Sequence, residues 1–524
     1  MQPSDLKARR IGETSSSDDV QPGFDTIPFH VEPGQRPTLD AFAVVGRDRG
    51  GTYHYGRIAA GHEENPKADP SMLQQNQSYG FNDDRTREGD LAPNVTRVME
   101  IDLLSEVVFE DGEAEIRQPT QLPQTGQPVW ELPASQTPEL LTPEEQEEGE
   151  GLAIGEIESG GESEEFDLPT EAIPRHISIL GKTGVGKTHT AHVLVEELVG
   201  AGVPVVHFDL LEDAVNMADD LGGRTVRPDH DLTLPYSLVG YQELKGFIPG
   251  MTSKQEDVVS VAYDAVYTEA MDQLREDGEV DVPVQRLYDE IENIGKQMDT
   301  RARKGAFYRV RTAYNNSPLL GEEMDDWETL LGQNPLLNVY IGHLGQDRRN
   351  TVVGAMSRML QKLRRHDEVP PFVLVIDEAH KFIPSGRDTS PSTRVVRELV
   401  QMARHDGIGV VLISQSPSSL DKQSLRTCNT HVVMSLDREE LSDVKGMFGD
   451  LSDTAIERVP KLEKGKAMIA SGRDILRHPA PVSIRDRKTK EGAPTPDLIA
   501  EAKRWRQERL GLGGYGDEPK EGDE

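Results

Sequence analysis

An eight-residue run, Gly181-Lys-Thr-Gly-Val-Gly-Lys-Thr188, constrains this chain more than any other feature in it. It matches G-x-x-x-x-G-K-[ST] at every fixed position. The apolar run Ile177-Ser-Ile-Leu180 precedes it, and the helix-like segment THTAHVLVEELV follows. Strand, glycine-rich turn and helix in that order form the setting in which such a loop wraps a phosphate. Glycines let backbone N–H groups curl round the anion without Cβ clashes, and the helix N-terminus adds its positive dipole end. Lys187 sets a cation on the β- and γ-phosphates, and Thr188 offers a hydroxyl to Mg²⁺. Gly181, Lys182, Thr183, Gly184, Val185, Gly186, Lys187, Thr188 and His189 are therefore the expected nucleotide site, with ATP and Mg²⁺ as its ligands.

A second motif fits the first. Phe372-Val-Leu-Val-Ile-Asp377-Glu378 is an apolar run that ends in two acids. A buried strand gains nothing from terminal charge unless something there uses it. In phosphate-loop ATPases the first acid holds the magnesium water shell, and the adjacent acid polarises the attacking water as a general base. Asp377 is assigned to magnesium and Glu378 to water. Gly409-Val-Val-Leu-Ile-Ser-Gln415 is a third apolar run, and Gln415 at its end can sense γ-phosphate and water together. Arg404 precedes that run. It is either a surface arginine or, in a ring, a finger that completes a neighbour's site. Asp209 ends the run Pro204–Asp209, where it either supports the magnesium shell or caps a helix. His380, after the acidic pair, reads as a packing or hydrogen-bonding residue rather than a catalyst.

From Arg175 onward, short aliphatic runs alternate with helical patterns, which predicts an α/β domain with a mainly parallel sheet. Residues 240–335 interrupt that alternation. Val258, Val261, Ala262, Ala265, Val266, Ala270, Met271 and Leu274 fit one helix face there, so the stretch is expected to be a helical insertion. Earlier, Ala41–Arg47, Thr52–Ala60, Arg97–Leu103 and Glu113–Arg117 read as short strands between turn residues, as in a small β-barrel or sandwich. The expected organisation is a disordered 1–22, a barrel at 23–130, an acidic linker at 131–168, an ATPase core at 169–490 and a charged helix or tail at 491–524.

Charge enters because the phosphate loop does not say what the nucleotide site acts upon. The net charge is −35, from 57 basic and 92 acidic residues. Residues 139–167 contain no Lys or Arg, and only 19 of the basic residues are lysine. High acid with little lysine and 5% aromatics resembles the proteins of salt-accumulating halophiles. In molar salt the Debye length falls to about 3 Å, so such charge is screened. Arg301, Arg303, Lys304, Arg309 and Arg311 form a local basic cluster, readable as a solvated helix face or as a DNA contact. Arg348, Arg349, Arg358, Arg364 and Arg365 form another. No apolar run approaches the ~18 residues of a membrane span, no secretory signal is evident at the start, and a lone cysteine, Cys428, excludes an intrachain disulfide framework. The expected setting is the cytoplasm.

Taken together, Arg175-His176, GKTGVGKT, FVLVIDEAHKFIP, ARHDGIGVVLISQSPSSLD and Thr427-Cys-Asn-Thr430 resemble the HerA-type ATPases of the HerA/FtsK superfamily. DEAH alone also occurs in superfamily 2 helicases, but their neighbouring motifs are absent. The resemblance spans about residues 25–485. It implies a RecA-like core behind an N-terminal HAS-barrel, a homohexameric ring that moves along DNA, and a nuclease of the NurA type as partner in end resection. It also implies Lys187 and Thr188 as the phosphate-loop pair, Asp377 and Glu378 as the acidic pair, Gln415 as sensor, Arg404 as the trans finger and Asp209 as the second-strand acid. Two departures stand out. The family's Ser-Gln-Arg-Pro is Ser-Gln-Ser-Pro here, with Ser416 for the arginine, and its Asp-Pro-His-Gly-Glu is Asp-Leu-Leu-Glu-Asp. Conjugation ATPases and anti-phage motors are cousins, and a nucleotide-regulated scaffold is the alternative of another class.

Overall fold

The protein is described by a computed structural model covering residues 1–16, 22–47, 51–64, 96–110, 113–143, 151–294, 299–386, 390–449, 451–490 and 498–510. Seven antiparallel strands build the N-terminal unit: β1 (Arg9–Thr14), β2 (Thr26–Val31), β3 (Phe42–Gly46), β4 (Thr52–Glu64), β5 (Thr96–Glu110), β6 (Glu113–Arg117) and β7 (Pro128–Glu131). They run in the order β2-β1-β7-β3-β4-β5-β6, and β2 also pairs with β5. That extra pairing closes six strands into a barrel and removes their free edges. Ile11, Ile27, Phe29, Ala43, Val45, Ile58, Ile101 and Val129 fill its interior.

The remaining strands are β8 (Gly151–Ser159), β9 (Glu162–Pro169), β10 (Ile177–Leu180), β11 (Val205–Asp209), β12 (Arg224–Val226), β13 (Leu234–Pro235), β14 (Leu320–Gly321), β15 (Leu336–Tyr340), β16 (Phe372–Ile376), β17 (Ile408–Ser414), β18 (Thr430–Val433), β19 (Lys466–Ala470) and β20 (Ala480–Ile484). Eleven of them form one sheet, ordered β12-β15-β11-β16-β17-β10-β18-β19-β20-β8-β9. From β12 to β18 every pairing is parallel; from β18 to β9 every pairing is antiparallel. Apart from the edge strand β12, the parallel strands are buried on both faces, so they read as largely aliphatic runs. Val206, Phe208, Leu374, Ile376 and Leu412 face one core with the helices Ser253–Asp277 and Gln346–Arg365. Their neighbours Val205, Val373, Val375, Val411 and Ile413 face the other, with the helix Lys187–Gly200 and part of the barrel. Between β13 and β14 the chain forms the helices Tyr241–Phe247, Ser253–Asp277, Val284–Ile294 and Thr300–Asn315.

Two expectations fail. The predicted linker at 131–168 contains the hairpin β8–β9, which extends the core sheet. Its alternation is real: Leu152, Ile154, Ile157, Phe166 and Leu168 are buried while Glu156, Glu158, Glu162, Glu164 and Glu165 face solvent. A charge count across the whole run hides a period of two. The predicted disorder at 1–22 is wrong for Arg9–Thr14, which is β1 and completes the barrel. Its register shifts between Arg10 and Gly12. A side chain at Gly12 would meet the His30 carbonyl oxygen at 2.3 Å, so only glycine fits. The 144–150 part of the predicted linker and the tail after Leu510 lie outside the described residues, whereas Leu498–Leu510 is helical.

Salt links and hydrogen bonds hold the barrel to the core. Arg458 donates two hydrogen bonds to the Asp40 carboxylate, at 3.0 and 2.6 Å, and Ser452 Oγ donates to Asp102 at 2.7 Å. Tyr55 Oη donates to the Leu140 carbonyl at 2.9 Å.

Candidate nucleotide site

Because the central strands are parallel, their C-terminal ends share one edge. In the order β11-β16-β17-β10 that edge carries Asp209, Asp377 with Glu378, Ser414 with Gln415, and the loop Gly181–Thr188. The sheet thus gathers residues more than 200 positions apart. Three backbone bonds shape the loop: Gly181 N–H to Ser414 O at 3.3 Å, Lys182 N–H to Ser435 O at 2.8 Å, and Gly465 N–H to Val185 O at 3.0 Å. Gly186 caps the helix in a left-handed conformation with φ 114°, and a Cβ at Gly181 would lie 2.9 Å from both Met434 Cβ and Val185 Cγ2. The backbone cradle is therefore one that side chains would fill.

Lys187 is buried, and its Nζ donates to the Lys182 carbonyl inside the loop at 3.0 Å. Burial lowers its pKa, with Glu378 and Asp377 opposing that shift. Asp377 is also buried. Burial, then the nearby charges of Glu378, Asp209 and Asp213, pushes its carboxyl up to about 7. A cation placed beside it relieves that crowding. Glu378 has a left-handed backbone, φ 48°, unusual for a non-glycine residue. Its N–H donates to Asp377 Oδ1 at 2.8 Å. The Glu378 Oε2 atom is buried, makes no hydrogen bond, and lies 3.3 Å from His380 Nδ1. That nitrogen is also 3.3 Å from Ser414 Oγ, so His380 sits between Glu378 and the end of β17.

Gln415 touches the loop directly, because Thr183 Oγ1 donates to its Oε1 at 2.7 Å. The loop tip at Thr183 and Gly184 is exposed. The Asp209 carboxylate is tied to the turn that follows β11. Its Oδ1 accepts from the N–H groups of Leu211 and Glu212, both at 2.9 Å, and its Oδ2 accepts from Ala214 N–H at 3.2 Å. The His189 ring is turned to the Arg485 carbonyl, with Nε2 2.8 Å from it. Arg404 lies in the turn Ala403–Asp406, which leads into the start of β17, at the opposite end of that strand from Gln415; its side chain is outside the described residues. Ser416, where the family carries arginine, donates to Glu440 at 2.9 Å.

Sequence reasoning missed Asp213, which adds to the charge around Asp377, and the contact of His380 with Glu378. Asp213 had a signal, since it belongs to the unusual Asp-Leu-Leu-Glu-Asp. Among the described residues no group of three or more His, Cys, Asp or Glu forms a ready metal cage. Magnesium in such sites is held by one or two side chains and the nucleotide's phosphates. The crowded Asp377, on the strand-end edge that also carries the loop with Thr188, suits that mode.

A RecA-like sheet carrying a phosphate loop, an acidic pair and a polar sensor along one edge defines a phosphate-loop ATPase. VirB4 of Thermoanaerobacter pseudethanolicus shares this fold, with a TM-score of 0.50 at 15% identity over 65% of this chain and 98% of that one. Residues 152–360 match the family model for the central domain of helicase HerA. Two relatives described as DNA double-strand break repair helicase HerA are similar over most of the chain. The protein from Sulfurisphaera tokodaii is 23% identical over 376 residues, covering 66% of this chain and 72% of the relative. The one from Sulfolobus acidocaldarius is 22% identical over 409 residues, covering 72% and 79%. Over this core the chain is similar to the HerA-type ATPases.

Proposed function

We propose that this ATPase is the motor subunit of a homohexameric DNA translocase or helicase, acting in DNA end repair beside a nuclease of the NurA type. Supporting this is the edge that joins Lys187, Asp377, Glu378 and Gln415, in a chain similar to proteins named as DNA double-strand break repair helicases. The site is assigned to cytoplasmic ATP.

The residues divide the work. Lys187 leaves the Lys182 carbonyl and meets the β- and γ-phosphates. Thr188 and Asp377 hold Mg²⁺, which neutralises phosphate charge when bound. Asp209 keeps the turn after β11 in shape and supports Asp377 from outside the metal's ligands. The free Glu378 Oε2 takes a proton from water as the water oxygen attacks the γ-phosphorus, and the bond to the ADP oxygen breaks. His380 fixes the Glu378 side chain. Gln415 exchanges its bond with Thr183 for contact with the γ-phosphate. Arg404 lies a seven-residue strand away from that edge, roughly 20 Å at strand rise. That distance favours a neighbour's nucleotide over its own.

The acid-rich surface fits assembly and turnover at high salt. The test measures phosphate release with and without linear duplex DNA, together with assembly mass in the presence of ATP. Stimulation by DNA and a six-subunit mass are expected. A ring whose hydrolysis ignores every DNA, and responds instead to membrane or protein partners, would favour the conjugation or secretion reading.

A further inference from the structure

The helix Thr300–Asn315 is an anomaly in so acidic a chain. It carries Arg301, Arg303, Lys304, Arg309 and Arg311 and no Asp or Glu. Helix faces that are merely solvated mix signs. The neighbouring helix Ser253–Asp277 does so, setting Lys254 and Arg275 among Glu256, Asp257, Asp264, Glu269, Asp272, Glu276 and Asp277.

The structure sorts the basic helix into two faces. Ala302, Ala306 and Val310, spaced four apart, are buried against the rest of the insertion. Their small size brings the helix close and leaves the opposite face clear. Arg301, Lys304, Tyr308, Arg311 and Asn315, at spacings of three and four, form one exposed stripe. Tyr308 is 64% exposed, in a chain with few aromatics to spare. Arg303 and Arg309 are tied to the carbonyls of Glu292 and Pro249 at 3.0 and 2.9 Å. Among the described residues, the side chains of Arg301, Lys304 and Arg311 make no ion pair or hydrogen bond. The capping carboxylate of Asp299 lies 3.9 Å from Lys254 and accepts from the Arg301 N–H. Beside the stripe runs an open groove of about 660 Å³, lined by Tyr308, Arg309, Phe247 and Arg348.

We propose that this stripe is a DNA contact, in which Arg301, Lys304 and Arg311 meet successive backbone phosphates and Tyr308 stacks on an exposed base. Unpaired cations one and two helical turns apart, interleaved with a ring and free of acid on their own helix, match a phosphate polyanion with flat bases. Contacts to phosphates and to base faces carry no sequence, so the contact is sequence-independent, as a motor's track contact must be. The proposal rests on the DNA-motor reading above and adds where part of the track is held.

The test is equilibrium binding of fluorescent single-stranded and duplex DNA to the full chain with a non-hydrolysable ATP analogue. It is run across the salt range in which the wild type stays assembled. The triple variant Arg301→Gln, Lys304→Gln, Arg311→Gln should lose affinity for both DNAs. Its plot of log affinity against log salt should flatten by about 2 to 3, at roughly 0.7–0.9 per lost phosphate contact. Tyr308→Ala should weaken single strands about tenfold or more, with less effect on duplex. Hydrolysis without DNA should stay at the wild-type level in both variants, which also reports that they are folded. Wild-type binding with an unchanged triple-variant slope would overturn the stripe and leave the motor reading intact. A wild type that binds no DNA would overturn both.

Discussion

Glu196 and Asp377 are both buried carboxylates, and the protein treats them in opposite ways. Glu196 lies where the segment after β20 crosses the helix Lys187–Gly200. It accepts from the N–H groups of Lys488 and Thr489, the Thr489 hydroxyl and Arg485 Nη1, all within 3.0 Å. Burial alone would raise its pKa, but those donors outweigh it and hold the carboxyl below its ordinary range. Asp377 has a single backbone donor, Glu378 N–H, and acidic neighbours, and it is pushed up to about 7. The first region spends its donors on holding the fold. The second withholds them, leaving a carboxylate that gains most when a cation and a nucleotide arrive.

Removing the cation at the site should break the contrast most completely. Lys187→Ala takes the positive charge from the β- and γ-phosphates, so nucleotide affinity and hydrolysis should both collapse. Isothermal titration on the folded variant checks this, and unchanged affinity would remove Lys187 from the site. Arg404→Ala should instead keep binding and assembly while hydrolysis falls by ~10³-fold or more. Mixed rings of Arg404→Ala and Glu378→Gln subunits should recover activity, since intact Glu378 can then face intact Arg404. Rings that demonstrably mix and stay dead, with wild-type titration excluding strict coordination, would end the trans role.

The stability comparison is smaller and has opposite signs. Glu196→Gln weakens charge-assisted bonds worth about 1.5–3 kcal/mol each in buried settings, so the melting midpoint should drop. The folded pKa of Glu196 is depressed. Its stabilisation is therefore present above the unfolded value near 4.5 and lost as pH falls through the folded value, so the gap between Glu196→Gln and wild type should close in acid. Asp377→Asn removes a crowded, desolvated charge. In nucleotide-free protein with chelator, its midpoint should match or exceed the wild type's, although its hydrolysis is lost. A marked drop would mean that Asp377 also holds the fold.

What the sequence disclosed follows from which features are local. The phosphate loop and Asp377-Glu378 were legible because a strand end, a tight turn and a helix start need particular residues within a few positions. The parallel strands were legible because burial on both faces makes them continuous aliphatic runs. β8–β9 was obscured because a charge count averages away its alternation: Glu156 and Glu158 flank the buried Ile157, while Glu162, Glu164 and Glu165 are exposed at the turn end of β9. β1, RRIGET, buries Ile11 and Thr14 around a glycine bulge and has too little apolar content to announce itself. Whether Asp209 caps or coordinates could not be read from a strand-final acid; three backbone donors tie it to the turn after β11. The contact between Thr183 and Gln415 spans 232 positions and depends on β17 lying beside β10.

The most direct test of the account is Glu378→Gln, assayed for nucleotide binding and for turnover on the same preparation. Its Oε2 is buried and lacks a hydrogen-bond partner, and its backbone is held in a strained conformation. The role proposed for the side chain is therefore at the attacking water, not in the fold or in nucleotide binding. ATP should bind to Glu378→Gln as tightly as to the wild type, and phosphate release should all but cease. Hydrolysis near the wild-type rate, or loss of binding together with turnover, would contradict that assignment.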